Sequence, residues 1–185
     1  MVAQQLATLG CAVIDADRLA KQALDEPQVR DELERWWGPS VLDPVGRVNP
    51  KTVAAIVFND ADELRRLEAL VHPRVDARRA ELCQCYQLDP AVRAVVQDIP
   101  LLLEKRLDSG CDVLVYVDAP KTVRLERVER ERGWSAADLE RREKKQMPLD
   151  TKRDRAHYVV DNSVGKSVCL DQVRHILSQI LHERP

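Results

Sequence analysis

The chain has 185 residues, 44% of them hydrophobic and 32% charged, enough for one domain with a real core and a small appendage. No apolar run approaches the ~20 residues of a membrane helix, so no membrane span is expected. Net charge is −2, yet residues 121–155 carry 12 Lys and Arg against 8 Asp and Glu; one basic element on an acidic body excludes the broad basic face of a general nucleic-acid binder and suits a mobile element that closes on a small polyanion.

The N-terminal MVAQQLATLG has no basic region followed by an apolar stretch, so no secretory signal is expected. Residues 2–9 read as a helix ended by Gly10. Residues 11–14 form a short apolar run suited to a buried parallel strand. Asp15-Ala-Asp17 ends that strand and opens a helix to about residue 24, where a carboxylate accepts from free backbone N–H groups. Residues 27–88 read as mostly helical. Pro27 opens a helix that stops at Gly38, residues 41–49 are a turn-rich link, and Pro50 opens the next helix. Asp60 is placed to cap a third, with Glu63 as its capping-box partner. His72-Pro73 is expected to break that helix before it resumes. This helical block lies between two strands and reads as an acceptor-binding subdomain.

Residues 92–99 are the next strand candidate, followed by Pro100 and LLLEKRLDSG. Residues 112–117 are the clearest strand. Residues 121–132 form a charged helix, Gly133-Trp134 punctuates it, and Ser135 is placed to cap a second helix to about Gln146. A basic loop leads to a last strand at 157–160. Residues 167–182 form an amphipathic helix with Val168, Val173, Ile176, Ile180 and Leu181 on its apolar side. Short apolar strands alternating with helices predict an α/β fold with a parallel sheet. The five cysteines are scattered, with Cys83 and Cys85 the only close pair; this fits neither a disulfide framework nor a zinc site, and predicts reduced thiols in a cytoplasmic protein.

Three groups of residues carry chemistry. Asp15 and Asp17 follow a strand, where ligands of open α/β sheets sit, and can orient a hydroxyl or accept its proton; they can equally be helix caps. Asp98 ends a hydrophobic strand, the place of a carboxylate that supports Mg²⁺ near phosphates, or of an ordinary strand-end residue. Arg124, Arg127 and Arg130 share one helix face, and Arg132 follows just before the turn. Guanidinium groups fork onto phosphate oxygens, although Glu126, Glu129 and Glu131 are equally placed to pair with them.

The segments VIDAD, VHP, IPLLLE and QMPLDTKRDRAHYVVDN, in this order, resemble dephospho-coenzyme A kinases, members of the P-loop nucleoside and nucleotide kinases. The resemblance covers nearly the whole chain. It implies a three-layer P-loop kinase-like α/β fold with a parallel sheet, a helical acceptor-binding insertion and a helical lid. The core is expected at 1–26, 89–120 and 156–185, the insertion at 27–88 and the lid at 121–155. It further implies phosphoryl transfer from ATP, with Mg²⁺, to the 3′-hydroxyl of dephospho-coenzyme A. Asp17 matches the family's base. Arg132 best matches its catalytic lid arginine, with Arg130 the alternative because the turn spacing departs from the pattern. Arg127 and Lys152 become phosphate contacts of the lid. Asp15, His72, Leu101, Leu102 and Glu104 fall on the acceptor side, Asn162 on the adenine side, and Asp98 acts on Mg²⁺ through water. Ala156-His157 departs from the usual Ala-Asp.

The family's GxxxxGK[ST] phosphate loop does not occur in the 185 residues. Gly165-Lys166-Ser167 lies between a strand and a helix, but its first glycine would fall at Val160, so it is a decoy. The match begins one element late, and the natural protein is expected to be about 15–20 residues longer, the size of a strand and loop. In the family that strand lies between residues 92–98 and 112–117, so without it two strand edges stay unpaired. Two other readings are a remnant that binds dephospho-coenzyme A without phosphorylating it, and another nucleoside or nucleotide kinase.

Overall fold

The computed structural model describes residues 1–182. In chain order the elements are α1 (Val2–Thr8), β1 (Ala12–Asp15), α2 (Ala16–Leu24), α3 (Pro27–Trp37), α4 (Pro50–Asn59), α5 (Ala61–Leu88), β2 (Val95–Asp98), β3 (Val115–Asp118), α6 (Lys121–Arg132), α7 (Ala136–Glu143), α8 (Leu149–Asp154), β4 (Tyr158–Asp161) and α9 (Lys166–His182). The α/β alternation expected from the sequence is present, and β3 and β4 run parallel, with Val115 opposite Tyr158 and Asp118 opposite Asp161. The strands form two ladders, β1 with β2 and β3 with β4. Among the described residues no strand joins them.

The chain divides into two compact units, Ile14–Asp98 and the combination of Met1–Val13 with the chain from Ile99 onward. The first unit is built on helices. Val29 and Leu33 lie one turn apart on α3 and are fully buried, together with Val41, Ile14 and Val53. Full burial of a side chain the size of Leu33 contributes about 2 kcal/mol. α2 and α4 both pack on α5.

Two expectations for this unit are corrected. α5 runs unbroken through Pro73. Proline removes one backbone N–H, that directed at the Ala69 carbonyl, and crowds the preceding turn, yet the helix continues and the Arg74 side chain lies back along it, donating Nη1–H to the Leu70 carbonyl at 2.7 Å. Packing against α2, α4 and β2 holds the rest of the helix. Asp60 caps α5 as expected, accepting from the N–H groups of Asp62 and Glu63. Glu63, however, does not close the box. Its carboxylate accepts from Trp37 Nε1–H at 2.7 Å, because a buried indole N–H needs a partner.

The second unit packs α9 against α1 and β4. Its core is Val2, Val160, Cys169, Val173 and Ile176. The apolar face of α9 is therefore Cys169, Val173, Ile176 and Leu177, and Val168, expected on that face, is 52% exposed. Positions 169, 173, 176 and 177 fall within one stripe, whereas 168 lies a third of a turn away. The basic segment after Gln146 is helical rather than a loop. Pro148 starts α8, Asp150 sits in its first turn, and Lys152 and Arg153 sit in its last, each sign facing the favourable end of the helix dipole. Ser135 caps α7 in a full capping box with Asp138.

Candidate active site

In the first unit the chemistry-bearing residues are carboxylates. Asp15 is the last residue of β1 and the N-cap of α2, its Oδ1 accepting from Arg18 N–H at 2.9 Å. Asp17 is exposed in the first turn of α2. Asp98 ends β2, the strand paired with β1. Loss of solvation pushes the Asp98 carboxyl above its ordinary value, and the Asp15 and Asp17 carboxylates push it further the same way. Three acids thus share one field.

Among the described residues no preformed cage of three metal ligands exists. An oxygen-only set without a cage fits Mg²⁺, which keeps several waters and binds through one or two carboxylates plus substrate phosphates. Asp98→Asn is expected to raise the unfolding midpoint at pH 7. A carboxyl raised in the folded state destabilises as pH rises from 3.8 through its folded value, and the penalty is complete at neutrality. The gain should vanish near pH 3, where the Asp98 carboxyl is largely protonated in both states; equal midpoints at pH 7 would show that Asp98 carries no such penalty. His72 lies on α5 with Nε2 3.8 Å from Glu68 Oε1, and both side chains are largely exposed.

In the second unit Leu101, Leu102 and Glu104 lie half-buried in the turn after β2. Glu104 reaches Lys152 on α8, with Nζ to Oε1 at 2.7 Å, and the two side chains are only 18% and 12% exposed. The same Oε1 accepts from Met147 N–H at 2.9 Å, and Lys152 also donates to Gln146 Oε1 at 3.0 Å. Burial pushes the Glu104 carboxyl up, but the Lys152 and Met147 hydrogen bonds outweigh it and hold it below its ordinary value. Glu104 Oε2 is buried with no partner. Lys152, expected on phosphate, is here the counter-ion of Glu104.

The arginines between α6 and the end of α8 divide by partner. Arg124 bridges α6 to α7 through Glu143 Oε1 at 2.9 Å and also donates to the Ala119 carbonyl. Arg127 donates to the Asn162 carbonyl at 2.7 Å, bringing together the expected lid arginine and the expected adenine-side loop. Asn162 N–H in turn donates to the Asp118 carbonyl at 2.8 Å. Arg130 pairs with Glu131 and Arg141 with Asp138. Arg153 in the last turn of α8 and Arg155 at its C-cap pair with Asp118 and Asp108. Arg132 has no carboxylate partner among the described residues. Its guanidinium lies 4.8 Å from the centre of the Trp134 ring.

Sequence reasoning passed over Trp134 and Arg142, which the structure brings together. Arg142 lies 4.0 Å from the same ring, again without an ion pair among the described residues. The signal was present, an Arg-Gly-Trp turn followed by a helix rich in arginine, but it was read as punctuation. His157 accepts from Leu114 N–H through Nδ1 at 2.9 Å, just before the β3–β4 ladder begins.

The comparisons with known proteins agree with one another. The family model for dephospho-CoA kinase matches residues 1–167. The dephospho-CoA kinase of Deinococcus radiodurans is 39% identical, over 88% of this chain and 77% of that protein. That of Thermobifida fusca is 36% identical, over 99% of this chain and 92% of its own. A solved structure from Thermus thermophilus superposes with a TM-score of 0.77 at 33% identity, covering 97% of this chain and 90% of that one. A dephospho-CoA kinase from Campylobacter jejuni shares the fold, with a TM-score of 0.66 at 21% identity over 97% and 89% of the two chains. The fold is therefore that of the P-loop kinases, and the chain belongs to the dephospho-CoA kinase family of phosphotransferases.

Proposed function

We propose that this protein transfers the γ-phosphoryl group of ATP to the 3′-hydroxyl of dephospho-coenzyme A. The bond between the 3′-oxygen and the γ-phosphorus forms as the β–γ bridge breaks; ADP leaves, and the hydroxyl proton passes to Asp17. The observation that carries the reading is the sorting of the lid arginines. Arg132 alone of the two aligned candidates is without a carboxylate and so open to phosphate oxygens, whereas Arg130 is taken by Glu131. Guanidinium groups held for the transferring phosphoryl group are the main protein contribution to such reactions. Mg²⁺, when bound, neutralises phosphate charge, and Asp98 would hold it through water.

On this reading residues 27–88 with Asp15, His72, Leu101 and Leu102 hold the acceptor, and residues 121–155 are the lid. Glu104 Oε2 has lone pairs left for an acceptor N–H or O–H. Lys152 supports the lid through Glu104. Arg127 steadies the adenine-side loop through Asn162. Arg132→Met is expected to lower kcat about 10³-fold, and Arg130→Met less than about threefold. Equal losses would remove the distinction drawn from the ion pairs.

The function itself is tested by ADP release with ATP as donor. Dephospho-coenzyme A should drive turnover, and adenosine or AMP should not. Preference for a nucleoside or nucleotide acceptor would assign another kinase of this architecture. Tight binding of dephospho-coenzyme A with no ADP release would make the protein an acceptor-binding one.

A further inference from the structure

Two arginines of the lid segment stand apart from the rest. Arg132 comes from the last turn of α6 and Arg142 from the last turn of α7. Both guanidinium groups lie against the single ring of Trp134, at 4.8 and 4.0 Å from its centre. Neither makes an ion pair among the described residues, although the Arg142 charge helps lower the Asp138 carboxyl, whereas Arg141 beside them is paired directly with Asp138. Trp134 is itself fixed. Gly133 adopts the left-handed conformation that ends α6 (φ 65°), and Trp134 N–H returns to the Val128 carbonyl at 3.3 Å.

A guanidinium that lies on an aromatic ring is oriented by it, yet keeps its in-plane N–H donors at the edge, where they match phosphate oxygens. Two cations held near one ring concentrate positive charge there, which an anion nearby offsets. Carboxylates are abundant on α6 and α7, so leaving these two unpaired keeps them for a ligand. We infer that Arg142 is a second phosphate-binding arginine, and that Trp134 positions Arg132 and Arg142 together for the phosphate oxygens of a polyphosphate. That the polyphosphate belongs to ATP rests on the kinase reading; the anion site rests on the two arginines and the ring.

The test is calorimetric titration of inorganic tripolyphosphate into the 185-residue chain at low salt. Arg132→Met and Arg142→Met are each expected to weaken binding about tenfold or more, as loss of a charge-assisted fork requires. Arg142→Lys should recover only part of the loss, because an ammonium cannot fork. Trp134→Ala should weaken binding as strongly, and Trp134→Phe should retain most of it. Arg141→Met should change affinity less than about twofold, since its guanidinium is already paired. No measurable binding by the unsubstituted chain, or unchanged affinity in Arg142→Met, overturns the inference. The readout needs neither acceptor nor turnover. If dephospho-coenzyme A is not phosphorylated but Arg142→Met still loses tripolyphosphate, the kinase reading fails and the arginine pair stands. If dephospho-coenzyme A is phosphorylated and Arg142→Met keeps both affinity and turnover, the pair fails alone.

Discussion

Asp17→Asn is expected to lower kcat by about 10²–10⁴-fold, the range of general-base catalysis, while affinity for dephospho-coenzyme A stays within about twofold. Asn keeps the shape of the side chain and its hydrogen-bonding oxygen but cannot take the hydroxyl proton. Asp17 is exposed, so the fold does not depend on it. The acid does sit in the first turn of α2, where a negative charge is worth about 0.3–1 kcal/mol, so a small drop in the unfolding midpoint accompanies the kinetic loss. A loss of that size leaves the protein folded under assay conditions. Steady-state kinetics with both substrates varied separates the effects. Unchanged kcat would remove Asp17 from the proton path, and a raised KM for the acceptor at constant kcat would make it a binding residue.

The second large effect is on stability. Breaking the Glu104–Lys152 pair is expected to cost about 2–3 kcal/mol, because the remaining charge stays mostly buried. Lys152→Met should be the worse change. It leaves Glu104 with Met147 N–H as its remaining donor, on a carboxylate whose Oε2 already lacks a partner. Glu104→Gln with Lys152→Met should recover much of the loss, since no buried charge remains. Ion pairs elsewhere do not behave this way. Arg65 and Asp62 are 71% and 82% exposed, and their removal should cost less than about 0.5 kcal/mol.

The pair also sets a pH dependence. The Glu104 carboxyl is held below its ordinary value of 4.5 in the folded state, so its stabilisation is present above that value and fades as pH falls through the folded value. Urea titrations from pH 7 to about pH 3 should show an acid loss in the parent that is smaller in Glu104→Gln. Parallel curves for the two would mean that the carboxylate titrates as it does in the unfolded chain.

How much of this was legible in the sequence follows from the range of the interactions. Local chemistry was readable. Asp15, Asp60 and Ser135 cap helices because a side-chain oxygen near a helix start finds free N–H groups within three residues. The short apolar runs became strands, shifted by one to three residues where hydrogen bonding rather than hydrophobicity set the ends. Choices among equivalent partners were not readable. Glu126, Glu129 and Glu131 were all in reach of the lid arginines, yet Arg124 takes Glu143 on the next helix. Glu63 answered to Trp37 from another helix rather than to its own N-terminus. Val168 lost its place in the core because it lies about a third of a turn off the stripe of Cys169, Val173 and Ile176.

For the site, the motifs pointed to segments but not to the partners their side chains find. Lys152 is basic and in a family motif, which made phosphate the natural partner. Only the fold of α8 brings it to Glu104, far away in sequence, and gives it a buried ion pair. The Trp134 ring lay between two charged helices in plain view. What it holds depends on the angle between α6 and α7, which no spacing rule gives.

The most direct measurement is identification of the product formed from ATP and dephospho-coenzyme A. Mass spectrometry should show the acceptor gaining one phosphoryl group as ADP accumulates in equal amount, and phosphorus NMR should place the new phosphate on the 3′-oxygen. Dephospho-coenzyme A recovered unchanged, or phosphorylated at another oxygen, would contradict the account.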